Sequence, residues 1–281
     1  MDRRQTSPAE SGVAHREVLV INSLIKRRLE NDEPVFGTFV KFASPNLVEM
    51  IGLSGFDFII IDSEHANFTH GEIEDLIRAA QLVGMAAIVR TRDAFEANIL
   101  HALDSGASGI QVPSLSSADE ARAVVRRAKY HPIGERGWAP GCRAGDYAFT
   151  PPKTYIERAN RDTTIAVHVE NARMADDIEA LCQVDHLDVA FIGTGDLSQS
   201  LGYPGEADHP EVQKVVDRVI DACKRAGKHF GMVASNPDSL KQAVERGSRY
   251  IAWQSDMVMY KNALKSAADR FAPFRANRQE V

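Results

Sequence analysis

The sequence is poor in cysteine. Among 281 residues there are three, Cys142, Cys182 and Cys223, odd in number and far apart. They supply neither a disulfide framework nor a CxxC metal pair. Positive charge is also short: 33 Lys and Arg stand against 39 Asp and Glu, a net charge of −6. The densest basic cluster, Lys26-Arg27-Arg28, reads as a solvated helix face. A dedicated nucleic-acid binder would show a basic stripe, so that class is excluded. No apolar run reaches the roughly 18 residues that span a membrane. The first residues, MDRRQTSPAESGVAHRE, lack the apolar core of a signal peptide. Glycine-rich phosphate loops are missing as well, since neither GxGxxG nor a Walker-type GxxxxGK follows any apolar run. The expectation is a cytoplasmic globular enzyme with no nucleic-acid or membrane partner.

What is present is a rhythm. Short runs rich in Val, Ile and Phe recur at 35–42, 56–62, 86–90, 109–113, 165–170, 189–193, 229–234 and 250–254. Runs apolar on both sides read as buried parallel strands. Between them lie amphipathic segments with polar or proline starts (Ser44-Pro45, Thr69, Asp93, Ser116, His209-Pro210, Asn236-Pro237), several of them ending on glycine. Eight strands, each followed by a helix, indicate a (β/α)8 TIM barrel over residues 16–275 as a single domain. The alternative, a doubly wound sheet, would carry fewer strands and a Gly-rich first turn. Residues 18–30 read as a helix plugging the barrel bottom, and residues 1–15 as a disordered tail. The long excursion over 130–164, containing GERGWAPGCRAGDY, is expected to be an active-site loop that sets acceptor specificity.

Barrel enzymes place their chemistry at the C-terminal ends of the strands. Those ends carry Asp62-Ser63-Glu64-His65, Arg90, Glu170-Asn171, Gly193-Thr194-Gly195-Asp196, Ser235-Asn236 and Ser255-Asp256. Glu170 and Asp196 end adjacent strands, close enough to share one hard cation. The competing reading has Asp196 capping the following helix and Glu170 pairing with Arg173. Two carboxylates suit Mg²⁺ or Mn²⁺, which complete their octahedron with water and substrate oxygens. Arg90 is hard to justify as a core residue and would stabilise an oxyanion. His65, with Asp62 three residues before it, forms a base and orienter pair, against the alternative of a surface-loop histidine. These parts suit proton abstraction beside a carbonyl, or carbon–carbon cleavage, through a metal-held enolate.

The strings FDFIIIDSEHANF, IVRTRDAFEANILHALDSGASGIQVPSLSSADEA, YHPIGERGWAPGCRAGDY, AVHVENARM and VAFIGTGDLSQSLGYPG resemble the HpcH/HpaI aldolase family, class II pyruvate aldolases with citrate lyase β-like relatives. The resemblance runs from about residue 24 to 268. It implies a lyase that splits a 4-hydroxy-2-oxo acid into pyruvate and an aldehyde, with Glu170 and Asp196 holding Mg²⁺ or Mn²⁺ and Co²⁺ as a further candidate. It implies that His65, supported by Asp62, is the acid/base acting through metal-bound water, and that Arg90 binds the keto oxygen and stabilises the enolate. Backbone amides of Gly193 and Gly195 would hold the pyruvate carboxylate, and Asp104 would reach His65 of a neighbouring subunit. The family is typically a homohexamer, here a hexamer or trimer, with the last helix (about 257–270) exchanged between subunits.

The sequence departs from the family pattern at four places. His168 replaces Gln and stands as a substrate-binding candidate, Asn171 replaces Thr or Ser, and Thr194-Gly195 replaces Pro-Ala or Pro-Thr. Lys41, near the end of the first strand, stands where a small or apolar residue is usual. It is read as a contact to an acidic acceptor or as lying just off the core, with a Schiff-base nucleophile as the alternative. A CoA-ester lyase or citrate-synthase-like condensing enzyme is the alternative function, with Arg136, Arg143 and the 121–129 helix as its only basic elements. A catalytically silent keto-acid sensor is the third reading.

Overall fold

The computed structural model describes residues 20–275. The expected tail over 1–15 lies outside the described residues. Eight strands close into a parallel barrel in sequence order: β1 Val35–Val40, β2 Phe58–Asp62, β3 Ala86–Arg90, β4 Gly109–Val112, β5 Thr164–Val169, β6 Val189–Ile192, β7 His229–Ala234 and β8 Tyr250–Ser255. Every strand falls on a run expected from the sequence. The barrel carries helices α1 Leu24–Glu30, α2 Pro45–Leu53, α3 His70–Leu82, α4 Glu96–Asp104, α5 Ala118–Ala128, α6 Pro152–Asp162, α7 Ala172–Asp176, α8 Ile178–Cys182, α9 Thr194–Ser200, α10 Pro210–Ala226, α11 Pro237–Glu245 and α12 Asp256–Phe271. No helix among the described residues is long and apolar enough to cross a membrane.

Side-chain alternation along the strands builds two cores. Outward residues such as Ile59, Ile61, Ala87, Val89, Ile110, Val167 and Ile192 pack under the helices. Inward residues Val35, Phe39, Phe58, Ile60, Ile88, Ala166, Phe191 and Tyr250 fill the barrel, joined by Ile25 and Leu29 of α1. The first helix therefore plugs the bottom as expected, though it starts at Leu24. Gly37 and Gly231 admit the large rings of this inner core: a Cβ at Gly37 would sit 2.5 Å from the Phe58 ring, and one at Gly231 would sit 2.7 Å from Phe191.

Helix starts follow local capping. Ser44, Thr69 and Asn236 accept backbone N–H groups as expected, Thr69 in a reciprocal capping box with Glu72. Two expected starts shift by one or two residues. Ser117 rather than Ser116 caps α5. Phe95 rather than Asp93 precedes α4, while the Asp93 carboxylate accepts from the Phe95 N–H at 2.8 Å.

The excursion over 130–164 is the main correction to the expected architecture. It follows a helix and precedes a strand, so it closes at the N-terminal face of the barrel, opposite the strand ends. Its short 3-10 segment Arg143–Ala148 and α6 build a small core of Ile21, Tyr130, Ala144, Tyr155 and Ala159. Arg143 donates to the Ser105 carbonyl at 3.0 Å and bonds the Gln81 side chain. Within the chain this segment is no active-site loop.

Helix α12 begins on Asp256, whose carboxylate accepts the backbone N–H groups of Lys41 (2.9 Å) and Phe42 (3.0 Å) and so ties the end of β1 to the end of β8. Beyond Asp256 the helix leaves the barrel, and Met257, Tyr260, Leu264 and Phe271 are exposed.

Candidate active site at the C-terminal mouth of the barrel

The inward register that is apolar at the bottom becomes polar at the top. Lys41, Asp62, Arg90, Gln111, His168 and Glu170 continue the same alternation as the inner core, so their side chains converge on the barrel axis. Asp62 pairs with Arg90 in the β2–β3 register, and Arg90 with Gln111 in the β3–β4 register.

Asp62 is fully buried. Its carboxylate accepts from Arg90 Nε at 2.9 Å and Nη2 at 2.7 Å, and it also binds the Lys41 ammonium. Burial alone would raise its pKa, but these two cations and the His65 N–H hold the carboxyl down at about 2. Arg90 extends its remaining nitrogen, Nη1, to Glu64 Oε2 at 2.9 Å and lies over the Phe39 ring at 4.9 Å. A guanidinium braced on three sides is a rigid donor. Glu64 itself is pushed above its ordinary value by burial, which the Arg90 charge only partly offsets.

His65 sits in the turn after β2, its side chain exposed. The expected pairing of its ring with Asp62 does not form. Asp62 Oδ1 instead accepts the backbone N–H of His65 at 3.1 Å, while the imidazole Nε2 faces Glu64 Oε2 at 3.7 Å. The physical reason is alternation: Asp62 still belongs to the strand and points inward, and the chain has turned outward by His65.

Glu170 follows β5 and is buried. One oxygen accepts the Ser114 N–H at 2.6 Å, and the other meets His168 Nδ1 at 2.5 Å. Burial raises the Glu170 carboxyl, but His168, the Ser114 N–H and the Arg90 charge outweigh it and leave the group below the ordinary Glu value. Ser114 makes this contact from a left-handed backbone, φ 61°. Asp196 is exposed in the first turn of α9, after β6, the strand beside β5. It is the third residue of α9 rather than its cap, and Glu170 is engaged by His168 and Ser114 rather than by Arg173.

These strand-end features lie within the span matched by one family model. The model of the HpcH/HpaI aldolase/citrate lyase family matches residues 35–263, from the start of β1 into α12. The chain belongs to the HpcH/HpaI aldolase/citrate lyase family. A 2-keto-3-deoxy-L-rhamnonate aldolase of Klebsiella pneumoniae is 32% identical over 265 residues, 93% of this chain and 97% of the relative. A solved HpcH/HpaI family protein of Burkholderia cenocepacia J2315 superposes with a TM-score of 0.84 at 30% identity, covering 89% of this chain and 99% of that one. A citrate synthase superposes with a TM-score of 0.82 at 27% identity, covering 89% and 98%.

Several family expectations change against the geometry. The Gly193 N–H donates to the Val169 carbonyl at 3.1 Å within the sheet, so it is not available to a carboxylate. Gly193 serves another purpose: a Cβ there would lie 2.9 Å from Glu170 Cβ and 3.0 Å from Oε2, so only glycine lets β6 close against that carboxylate. Gly195 lies in the first turn of α9, where amides have no carbonyl four residues back within the helix. Asp104 ends α4, one short turn before β4, and pairs with Arg136 at 2.7 Å; within one chain it is not brought to His65. Asn171 caps α7 by accepting the Met174 N–H at 3.0 Å and donates to the Leu115 carbonyl at 2.8 Å. His168 has both ring nitrogens engaged, Nδ1 by Glu170 and Nε2 by Gln111 at 2.7 Å, so it stands behind the carboxylate rather than facing a substrate.

Sequence reasoning placed Glu64 at a strand end without giving it a role, and it missed Gln111, Ser114 and Tyr250. Gln111 had a visible signal, a polar residue in the middle of the apolar run GIQVP.

Proposed function

We propose that this protein is a divalent-metal-dependent aldolase that reversibly splits a 4-hydroxy-2-oxo acid into pyruvate and an aldehyde. The observation that carries the reading is the Arg90 guanidinium, buried and braced by Asp62 and Glu64 beside the buried carboxylate of Glu170, in a chain of this family. The substrate is a 2-keto-3-deoxy acid, the class named for the Klebsiella relative.

The residues fit a hard cation. Glu170 is held ionised, and each of its oxygens spends one lone pair on a hydrogen bond and keeps another. Glycine at 193 keeps a Cβ off this carboxylate, which would otherwise meet Oε2 at 3.0 Å. Among the described residues no three His, Cys, Asp or Glu side chains form a complete cage. Mg²⁺, Mn²⁺ and Co²⁺ are ions content with one or two carboxylates plus water and substrate oxygens. Glu170 and Asp196 would hold the ion, which would supply Lewis-acid polarisation of the 2-oxo group.

Arg90 donates to the keto oxygen and stabilises the negative charge that collects there. His65 takes the proton of the 4-hydroxyl. The C3–C4 bond then breaks, its electron pair moves through C3 and C2 onto the keto oxygen, and the aldehyde departs. His65 returns that proton to C3 of the enolate that remains, giving pyruvate. The Gly195 amide binds the substrate carboxylate. Lys41 is committed to Asp62, which tells against a Schiff-base role.

A chelator is expected to abolish activity and Mn²⁺ or Mg²⁺ to restore it, with no trapping by borohydride. Chelator-insensitive activity trapped by borohydride would overturn the reading in favour of Lys41. A panel of aldehydes offered with pyruvate and Mn²⁺, read by product mass, identifies the acceptor. The citrate synthase relative favours a second reading, a condensing enzyme or CoA-ester lyase using the same enolate. Against it, Arg136 and Arg143 are committed to Asp104, Ser105 and Gln81. Binding of coenzyme A by the protein would favour this second reading.

Assembly and location belong to the same proposal: a cytoplasmic homo-oligomer, trimer or hexamer, in which a neighbour covers the exposed apolar residues of α12 and Asp104 approaches the neighbour's His65.

A further inference from the structure

Four side chains form one hydrogen-bonded row across the barrel interior, from β8 through β4 to β5. Tyr250 Oη lies 3.1 Å from Gln111 Oε1, Gln111 Nε2 lies 2.7 Å from His168 Nε2, and His168 Nδ1 lies 2.5 Å from Glu170 Oε2. All four residues are buried. The His168 ring also lies against Phe191 at 5.0 Å between centroids, and Phe191 meets Tyr250 edge-on at 5.9 Å.

The row has a sense. Burial pushes the Tyr250 phenol well above its ordinary pKa, so it remains an O–H donor. It donates to the Gln111 carbonyl, which turns the Gln111 amide nitrogen toward His168. That N–H needs an acceptor, so His168 Nε2 carries no proton and Nδ1–H donates to Glu170. With the Gln111 amide turned over, the ring proton would move to Nε2. Nδ1 would then set a lone pair against a carboxylate oxygen at 2.5 Å.

We infer that Tyr250 and Gln111 are positioning residues: by fixing the tautomer of His168 they lock one oxygen of Glu170, while the Ser114 N–H locks the other. The carboxylate is thereby held in one orientation with its free lone pairs toward the mouth. This inference rests on the reading of Glu170 as a metal ligand. A glutamine at position 168 could offer Glu170 one N–H in the same way. Partners that orient a metal ligand from behind are worth about 10- to 100-fold in metal affinity or activity.

The test has two readouts. Long-range ¹H–¹⁵N spectra of the metal-free protein, with the His168 signals assigned through His168→Gln, are expected to show a proton on Nδ1 alone. Gln111→Leu is expected to disturb that pattern. Mn²⁺ affinity, read from the EPR signal of free Mn²⁺, is expected to fall about tenfold or more in Tyr250→Phe and Gln111→Leu. It should fall further in His168→Phe and stay within a few-fold of wild type in His168→Gln. Tyr250→Phe keeps the ring packing and removes only the hydroxyl, so a merely structural tyrosine would leave affinity unchanged. A proton on Nε2, or wild-type affinity in both Tyr250→Phe and Gln111→Leu, overturns the inference. If wild type binds no Mn²⁺, the reading of Glu170 as a ligand fails instead, and the metal-free spectra still decide the tautomer.

Discussion

Replacing Asp62 by asparagine removes a carboxylate that two cations share inside the barrel, and the size of the effect follows from its titration. Its pKa lies at about 2 against an ordinary 3.8. At about 1.4 kcal/mol per unit, that difference corresponds to roughly 2.5 kcal/mol of stability at neutral pH. The variant loses this and also leaves Arg90 buried without its bidentate partner, so the expected cost is about 3–5 kcal/mol. Because the folded pKa is depressed, the Asp62 contribution is fully present above the unfolded value and is lost as pH falls through 3.8 toward 2. The gap between wild type and Asp62→Asn should therefore be constant from pH 7 to about 5 and narrower by about 1 kcal/mol at pH 3. Urea unfolding of both proteins at one protein concentration measures it. A gap below about 1 kcal/mol at pH 7, or one unchanged between pH 7 and 3, would refute the ion-pair argument.

Other perturbations test neighbouring parts of the site. Gly193→Ala places a Cβ 2.9 Å from Glu170 Cβ, so Mn²⁺ affinity measured calorimetrically should drop at least about tenfold with circular dichroism unchanged. Arg90→Lys keeps a positive charge but not the fork that meets Asp62 and Glu64, and kcat for aldol cleavage should fall by about 10²–10³. Ser114 sits at φ 61°, so Ser114→Gly should unfold at higher denaturant than Ser114→Val, by about 1–2 kcal/mol in equilibrium unfolding.

The barrel was legible because parallel strands buried on both faces read as uninterrupted apolar runs, and all eight sit where those runs are. The site was legible in part for the same reason. A charged residue at the end of such a run, such as Asp62, Arg90 or Glu170, has no core role and marks the mouth. What failed was partnering. A spacing of three suggests an Asp62–His65 pair, but the chain changes direction between them, and Arg90 on the next strand takes the carboxylate. The family resemblance gives Gly193 an open amide, yet the residue is still inside the β5–β6 ladder. Length alone points the 130–164 excursion to the active face. Its place after a helix and before a strand puts it at the opposite end, a rule of topology that outweighs length. Tyr250 and Gln111 are 139 residues apart, and only closure of the barrel brings them together.

On the proposed function, this barrel makes a metal-dependent enolate of pyruvate. The most direct test follows exchange of the pyruvate methyl protons in D₂O by NMR, with no aldehyde present. Exchange is expected with Mn²⁺ or Mg²⁺, none after chelation, recovery on adding metal back, and loss in Glu170→Gln and Arg90→Lys. Exchange that persists under chelation, or that survives in Glu170→Gln, would contradict it.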